Sequence, residues 1–304
     1  MTSATDNARL AQLIQQIKPQ SRLRRAWPLK GGVSAQVTAL EIEQPDGQIT
    51  KLIVRQHGSV DRAHNPNIAA DEFKLLQILQ AAGVAAPRPY FVDPAGAILD
   101  SPCIVIEYIE GAPEFAPANV ADLIMQMAPQ LAQIHALDGI IPELGFLGPI
   151  EGRYTQLLAN RPATLDAAFD ETRIRDTLAA VWPISQHNRV ALLHGDFWPG
   201  NLLWQAGRLV AVIDWEDAAL GDPLADLANT RLEIMWAFGG DAMQEFTRRY
   251  QSLAAIDLAQ LPYWDLCAAL RPIPKIAEWT DDATAQQSMR AGLKSFIDQA
   301  FARL

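Results

Sequence analysis

The stretch that most constrains this chain runs from Leu192 to Ala228 and reads LLHGDFWPGNLLWQAGRLVAVIDWEDAALGDPLADLA. Two short apolar runs, residues 202–204 and 209–213, flank a linker that contains glycine. This pattern predicts a β-hairpin. A hairpin brings the beginning of its first strand beside the end of its second, so Asn201 and Asp214 are expected to converge.

The residue types at these positions predict a chemistry. An amide oxygen and a carboxylate suit Mg²⁺, a hard cation that takes oxygen ligands and substrate phosphates. Asp196 precedes Asn201 by one short turn of chain, close enough to face an attacking hydroxyl. Phosphoryl transfer needs a positioned nucleophile and neutralised phosphate charge. We therefore predict phosphoryl transfer, with Asp196 accepting or orienting the hydroxyl proton and Asn201 and Asp214 holding the metal.

Composition narrows the class of protein. The chain has 304 residues, of which 49% are hydrophobic and 20% charged, as in ordinary globular proteins. A formal net charge of −10 argues against nucleic acid as the main partner, and it permits a cationic substrate without requiring one. Cys103 and Cys267 lie among apolar neighbours and are interpreted as buried, reduced thiols. The sequence shows neither a secretory signal nor a membrane span, so we expect a cytoplasmic protein without a membrane partner.

The hydrophobic periodicity changes along the chain and predicts an α+β fold with two lobes. Two helices, at residues 6–18 and 71–82, and two strand-containing segments, at 27–40 and 49–55, are expected in the first lobe. From Val120 onward apolar residues recur at helical spacing. The sequence therefore predicts a β-rich lobe at residues 1–108 and a larger, mainly helical lobe at 109–304.

The segments HGDFWPGN and VIDWEDAALGDPLADLA resemble the aminoglycoside phosphotransferase and choline-kinase-like family, which shares the protein-kinase fold. The resemblance implies that the first lobe binds nucleotide and that the second carries catalysis and the substrate. It matches Asp196 to the family's catalytic aspartate, and Asn201 and Asp214 to its metal ligands. It also implies a structural role for three neighbours of these residues, His194, Asp222 and Asp226.

The resemblance extends to the first lobe. Four residues lie where the family has its glycine-containing phosphate loop: Gly31, Gly32, Val33 and Ser34. Glycines there let backbone N–H groups approach phosphate oxygens.

A basic strand residue and a helix carboxylate should accompany that loop. Arg55 stands where the family's phosphate-binding lysine normally lies; this is a departure, although a guanidinium can also bind phosphate. Lys51 and Lys30 are the alternatives. Glu72 is the predicted partner of Arg55, and Asp71 is the competing choice.

The run CIVIEYIEG resembles the hinge whose backbone binds the nucleotide base, which gives Glu107, Tyr108 and Ile109 as candidates. Acidic residues of the second half, including Glu216 and Glu233, could in part face a cationic sugar or amine of the acceptor, but most are interpreted as solvated surface.

These observations predict an ATP-dependent small-molecule kinase that phosphorylates a substrate hydroxyl and uses Mg²⁺, with GTP as the alternative nucleotide. Its acceptor could be an antibiotic, an amino alcohol or a sugar. The alternative hypothesis is a nucleotide-binding regulatory pseudo-kinase without turnover, and its only support is that Arg55 replaces the expected lysine. A protein kinase is disfavoured because HGD replaces HRD and IDW replaces DFG.

Overall fold

The computed structural model describes residues 4–29 and 35–304. This part of the chain divides into two compact units. The first unit comprises residues 1–110 and 211–216, and the second comprises 111–210 and 217–304. The short segment 211–216, which contains Asp214, therefore belongs to the first unit although most of its sequence neighbours belong to the second.

The first unit is built on a five-stranded antiparallel sheet with strand order β1-β2-β3-β5-β4. Its elements are α1 (Ala4–Ile17), β1 (Arg22–Pro28), β2 (Ala35–Glu43), β3 (Ile49–His57), α2 (Ser59–His64), α3 (Ile68–Ala81), β4 (Pro89–Asp93) and β5 (Cys103–Glu107).

The period of two in β3 explains how this unit buries its core. Leu52 and Val54 point to one face, where they join Leu13 and Ile14 of α1 in an apolar cluster. Arg55, one residue further along, projects from the opposite face of the strand. The same alternation that fills the core thus separates the charged side chain from it.

The second unit is mainly helical. Its elements are α4 (Val120–His135), α5 (Ile150–Ala159), α6 (Glu171–Val181), β6 (Ala191–Leu193), β7 (Leu202–Gln205), β8 (Arg208–Val212), β9 (Ala219–Gly221), α7 (Pro223–Phe238), α8 (Gly240–Leu253), α9 (Leu261–Leu270) and α10 (Ala283–Phe301), with β8 continuing into the segment that belongs to the first unit. Strands β6 and β9 pair antiparallel, and β7 and β8 form the hairpin predicted from the sequence.

Helix boundaries differ from the prediction in two places. The helix expected at residues 71–82 begins three residues earlier, at Ile68, because Ile68 and Ala69 are themselves buried. The short helix α2 was not predicted; it has no buried residue and therefore leaves no hydrophobic periodicity to detect. Across the described residues, every helix is too short or too polar to span a bilayer.

Candidate active site

A buried arginine is the centre of the charged cluster in the first unit. Arg55 Nη2 donates a hydrogen bond to Asp214 Oδ1 at 2.6 Å and another to Glu216 Oε2. Arg55 Nε lies 3.5 Å from Glu72 Oε2 on α3, so the ion pair expected from the sequence is present. The side chains of Arg55 and Glu72 are only 8% and 3% exposed. One guanidinium thus faces three carboxylates.

Three buried residues here have shifted pKa values: Arg55, Glu72 and His57, whose Nε2 lies 3.3 Å from Glu72 Oε2. Burial opposes the positive charge of Arg55, but the three carboxylates outweigh it and raise its pKa. Burial raises the pKa of Glu72 to about 7, and Arg55 opposes this shift. Burial, with Arg55 adding to it, lowers the pKa of His57 to about 3, so that its imidazole is neutral. Arg55 is therefore the fixed positive charge of this cluster.

The alternatives that the sequence left open for Arg55 and Glu72 make other contacts where the structure describes them. Lys51, on the same strand face as Arg55, donates to Glu110 Oε1 at 2.6 Å and stays partly exposed. Asp71 accepts a hydrogen bond from Asn65 at 2.9 Å and does not pair with Arg55. Lys30 lies outside the described residues, as do the predicted phosphate-loop residues Gly31, Gly32, Val33 and Ser34.

The backbone at Asp214 adopts a conformation that few residue types tolerate. Its φ of 66° lies in the left-handed region, where Asp and Asn are enriched among non-glycine residues. The segment is fixed by two hydrogen bonds within the first unit, from Val212 N to Ala85 O at 2.7 Å and from Trp215 Nε1 to Val212 O at 3.0 Å. Both Asp214 and Glu216 thereby meet Arg55.

The hinge candidates are the last residue of β5, Glu107, and the two residues that follow it, Tyr108 and Ile109. The backbone N–H of Glu107 donates to Arg88 O at 2.8 Å, and its side chain accepts from Arg88 N at 3.2 Å. Tyr108 lies 6.4 Å from Trp27, ring centroid to centroid, and under Lys51 Nζ at 5.0 Å. Glu107 N–H is thus already used within the unit, while Tyr108 and Ile109 keep their predicted main-chain role as a proposal.

In the second unit, the catalytic loop places Asp196 and Asn201 side by side. Asn201 Nδ2 donates to Asp196 O at 3.0 Å and to Asp196 Oδ2 at 3.2 Å. The amide nitrogen is turned toward Asp196, so the amide oxygen points away and suits a cation such as Mg²⁺. Asp196 is 32% exposed at its side chain, whereas Asn201 is buried. A half-exposed carboxylate on a braced loop can reach a hydroxyl of a bound acceptor.

A glycine makes the turn before Asp196 possible. Gly195 has φ of 82°, and a Cβ there would lie 2.0 Å from the backbone oxygen of Asp217. Only glycine avoids both the strained backbone and this clash. The middle position of the HGD sequence, residue 195, therefore requires glycine for steric reasons.

Of the two aspartates in GDPLADLA, Asp226 holds this loop and Asp222 caps the helix that follows. Asp226 accepts hydrogen bonds from His194 N at 2.6 Å and from Gly195 N at 2.8 Å, and lies 3.2 Å from His135 Nε2. Asp222 caps α7 by accepting from Leu224 N at 3.0 Å. His194 is fully buried, and its Nδ1 accepts from the backbone N–H of Asp196 at 3.2 Å. All three side chains are buried, and the structural role that the resemblance implies for them stays a prediction.

Two charged residues beside the catalytic loop, Arg271 and Glu233, were not assigned to the site from the sequence. Arg271, just after α9, has its Nη2 3.7 Å from Asp196 Oδ1 and donates through Nη1 to Asn229 Oδ1. Glu233 of α7 was interpreted as solvated surface but is half-buried, and burial together with Asp196 raises its pKa to about 8. No sequence signal locates either residue, since both come near Asp196 only through helix packing.

Glu216 was interpreted in the same way, and its ion pair with Arg55 corrects that interpretation. Its side chain is 15% exposed. The signal that could have located it is its position two residues after Asp214, on the same short segment.

Comparison with known proteins assigns the chain to a family. Residues 26–269 match the model of the phosphotransferase enzyme family. The chain belongs to this family. The resemblance read from HGDFWPGN and VIDWEDAALGDPLADLA is thereby confirmed, and the family supports a small-molecule kinase as the class of enzyme.

Solved structures confirm the predicted α+β, protein-kinase-like fold. An aminoglycoside 2′-phosphotransferase in complex with GDP superposes with a TM-score of 0.68 at 15% identity, covering 97% of this chain and 99% of that one. A spectinomycin phosphotransferase in complex with ADP and spectinomycin gives a TM-score of 0.65 at 15% identity, covering 97% and 98%.

Among curated proteins, acyl-CoA dehydrogenase family member 11 of Rattus norvegicus is 26% identical over 229 residues, which is 66% of this chain and 29% of that protein. The chain thus spans less than a third of the length of this relative.

Proposed function

We propose that this protein is an ATP-dependent kinase that transfers the γ-phosphoryl group to a hydroxyl of a small molecule. The observation that carries the proposal is the contact between Asp196 and Asn201 on a loop braced by Asp226. A carboxylate that is partly open to solvent and fixed by buried partners suits a base that orients a hydroxyl. GTP could replace ATP, because backbone groups at the hinge can contact either purine.

In this proposal, Asp196 orients the acceptor hydroxyl and takes its proton as the oxygen attacks the γ-phosphorus. The new bond joins that oxygen to phosphorus, and the bond to the β-phosphate oxygen breaks, which releases the nucleoside diphosphate. Arg55, held by Glu72, neutralises phosphate charge in place of the family's lysine. Tyr108 and Ile109 contribute main-chain groups for the nucleotide base.

Asn201 and Asp214 are the proposed ligands of Mg²⁺. An amide oxygen and a carboxylate oxygen match the oxygen preference of this ion. When bound, the ion would neutralise negative charge on the phosphates. The first unit would accordingly serve as the nucleotide-binding lobe, and the second would carry catalysis and the acceptor.

The experiment is a screen for nucleoside diphosphate release with ATP, Mg²⁺ and a panel of hydroxylated metabolites and aminoglycosides, followed by Asp196→Asn with whichever acceptor is active. We expect Asp196→Asn to lower kcat by about 10²- to 10⁴-fold, the usual contribution of a general base, with the KM for ATP nearly unchanged. Undiminished turnover by this variant would refute the role of Asp196.

Asp214→Asn provides a second arm. Asn tolerates the left-handed backbone of Asp214, so the substitution removes charge without adding strain. We expect it to raise the Mg²⁺ concentration needed for half-maximal activity. Nucleotide binding by wild type without turnover of any acceptor would instead support the regulatory alternative.

A further inference from the structure

Arg271 stands beside the proposed catalytic base in a geometry that suits a ligand. Its Nη1 donates to Asn229 Oδ1, which fixes the guanidinium, and its Nη2 lies 3.7 Å from Asp196 Oδ1. The separation of 3.7 Å is an ion-pair distance and too long for a hydrogen bond. A guanidinium carries five N–H donors. Among the described residues, the hydrogen bond to Asn229 is the one its donors make, and its side chain is 35% exposed.

The charges around Arg271 are nearly balanced. Asp217 also faces Arg271, but Arg153 pairs with Asp217 at 3.1 Å and offsets its charge. Glu233 faces the same group, and with a pKa of about 8 it is mostly a neutral carboxylic acid near neutral pH. This leaves one carboxylate, Asp196, opposite one guanidinium. Such a surface lacks the excess of negative charge that a polycationic acceptor would need.

We infer that the acceptor of this kinase is a hydroxylated anion whose carboxylate or phosphate group binds Arg271 while its hydroxyl faces Asp196. The inference rests on the proposed function, because it takes Asp196 as the base. Arginine binds carboxylate and phosphate oxygens through paired, charge-assisted hydrogen bonds. Since Arg271 and Asp196 are neighbours, the hydroxyl and the oxyanion of the acceptor lie within about 9 Å of each other. The acceptor is therefore a small molecule, or one end of a larger one.

A matched acceptor series tests the inference. The probes are straight-chain ω-hydroxy carboxylates of three to five carbons, their uncharged amides, and ω-amino alcohols of the same lengths. Phosphate monoesters of the corresponding diols separate a phosphate preference from a carboxylate preference. We expect wild type to favour one anionic set over the amides at least tenfold in kcat/KM, and to disfavour the amines further.

Substitutions at Arg271 connect this preference to the side chain. We expect Arg271→Gln to raise KM for the anionic acceptors by about 10- to 100-fold, as for the loss of a charge-assisted hydrogen-bond pair, and to leave KM for the amides within about threefold. Arg271→Lys should restore part of the loss because it keeps the charge. Arg161→Gln is the control, since Arg161 is a partly exposed, ion-paired arginine that contacts Asp176 at 2.9 Å. Melting temperatures identify any variant that fails to fold.

The outcomes separate this inference from the proposed function. A preference for amides or amines, or an equal loss of kcat with every acceptor in Arg271→Gln, overturns the anionic acceptor while leaving the kinase intact. If no acceptor of any charge is phosphorylated, the proposed function fails. Calorimetric binding of the hydroxy carboxylates then decides on Arg271: weaker binding by Arg271→Gln supports the anion site, and equal binding overturns it.

Discussion

The same substitution, Asp to Asn, should destabilise the protein at Asp226 and have little effect at Asp222, four residues earlier. Asp226 accepts two backbone hydrogen bonds from the catalytic loop, from His194 and Gly195, one at each carboxylate oxygen. Asp226→Asn replaces one of these oxygens with an amide nitrogen, which turns a donor toward a donor in either orientation. Asp222 caps α7 through Oδ1, which accepts from Leu224 N and also from Asn188 Nδ2, and Asn is as good an N-cap as Asp.

The magnitude follows from these contacts. A hydrogen bond to a charged group contributes about 1.5–3 kcal/mol, and a buried donor without an acceptor costs about 1–3 kcal/mol. We expect Asp226→Asn to lower the free energy of unfolding by about 2–4 kcal/mol. For Asp222→Asn we expect a change below about 1 kcal/mol, because the cap survives.

The pKa shifts give the pH dependence of each variant. Burial favours the protonated form of Asp226, but the hydrogen bond and charge of His135 and the backbone N–H of Gly195 outweigh it and lower its pKa. Its contribution to stability is therefore present above the unfolded pKa and is lost as the pH falls through the folded pKa. Burial raises the pKa of Asp222, so its ionisation costs stability as the pH rises. The gap between wild type and Asp226→Asn should narrow on acidification, and Asp222→Asn should be relatively more stable at high pH.

Urea unfolding followed by tryptophan fluorescence measures both variants. All tryptophans except Trp27 and Trp215 belong to the second unit, so the signal reports mainly the unit that contains Asp226. A lower midpoint at unchanged slope is expected for Asp226→Asn. Equal stability of Asp226→Asn and Asp222→Asn at neutral pH would refute the argument that Asp226 holds the loop.

Two further predictions concern the same unit. Gly195→Ala should abolish turnover and lower stability, because its Cβ would lie 2.0 Å from Asp217 O. Gly207→Ala, at φ of 75° with open space around it, should cost only about 1 kcal/mol of folding stability. Thermal melts and the ADP-release assay check both variants, and a fully active Gly195→Ala would contradict the steric reasoning. Glu233→Gln should flatten the dependence of stability on pH, because the raised pKa of Glu233, about 8, gives wild type a contribution to stability that is fully present below pH 4.5 and is lost as the pH rises toward 8. We expect the variant to be more stable than wild type by about 1–3 kcal/mol at pH 9. Parallel pH profiles of the two proteins would exclude the raised pKa of this carboxyl.

The sequence predicts those parts of the fold and site that depend on local order. The hairpin of β7 and β8 follows from two apolar runs and a glycine linker. The hydrogen bonds between Asn201 and Asp196 join residues five apart on one loop, but the sequence did not predict them. Helix α2 escaped prediction because it buries none of its residues. Arg271 and Glu233 escaped because α7 and α9 bring them to Asp196 from far along the chain. Long-range packing of this kind leaves no signature in residue spacing.

Arg55 was the one departure from the family pattern, and its surroundings give that departure a physical reason. Asp214 and Glu216 both accept from a single Nη2, while Nε faces Glu72 from another side. A guanidinium can meet carboxylates in two directions at once because its donors diverge in a plane, whereas an ammonium is a compact point charge. A lysine at position 55 would leave part of this buried negative charge without a counter-charge, and an unpaired buried charge is strongly destabilising. Arg55 and Glu216 therefore form one arrangement, and we expect Arg55→Lys to be less destabilising when Glu216 is also replaced by Gln.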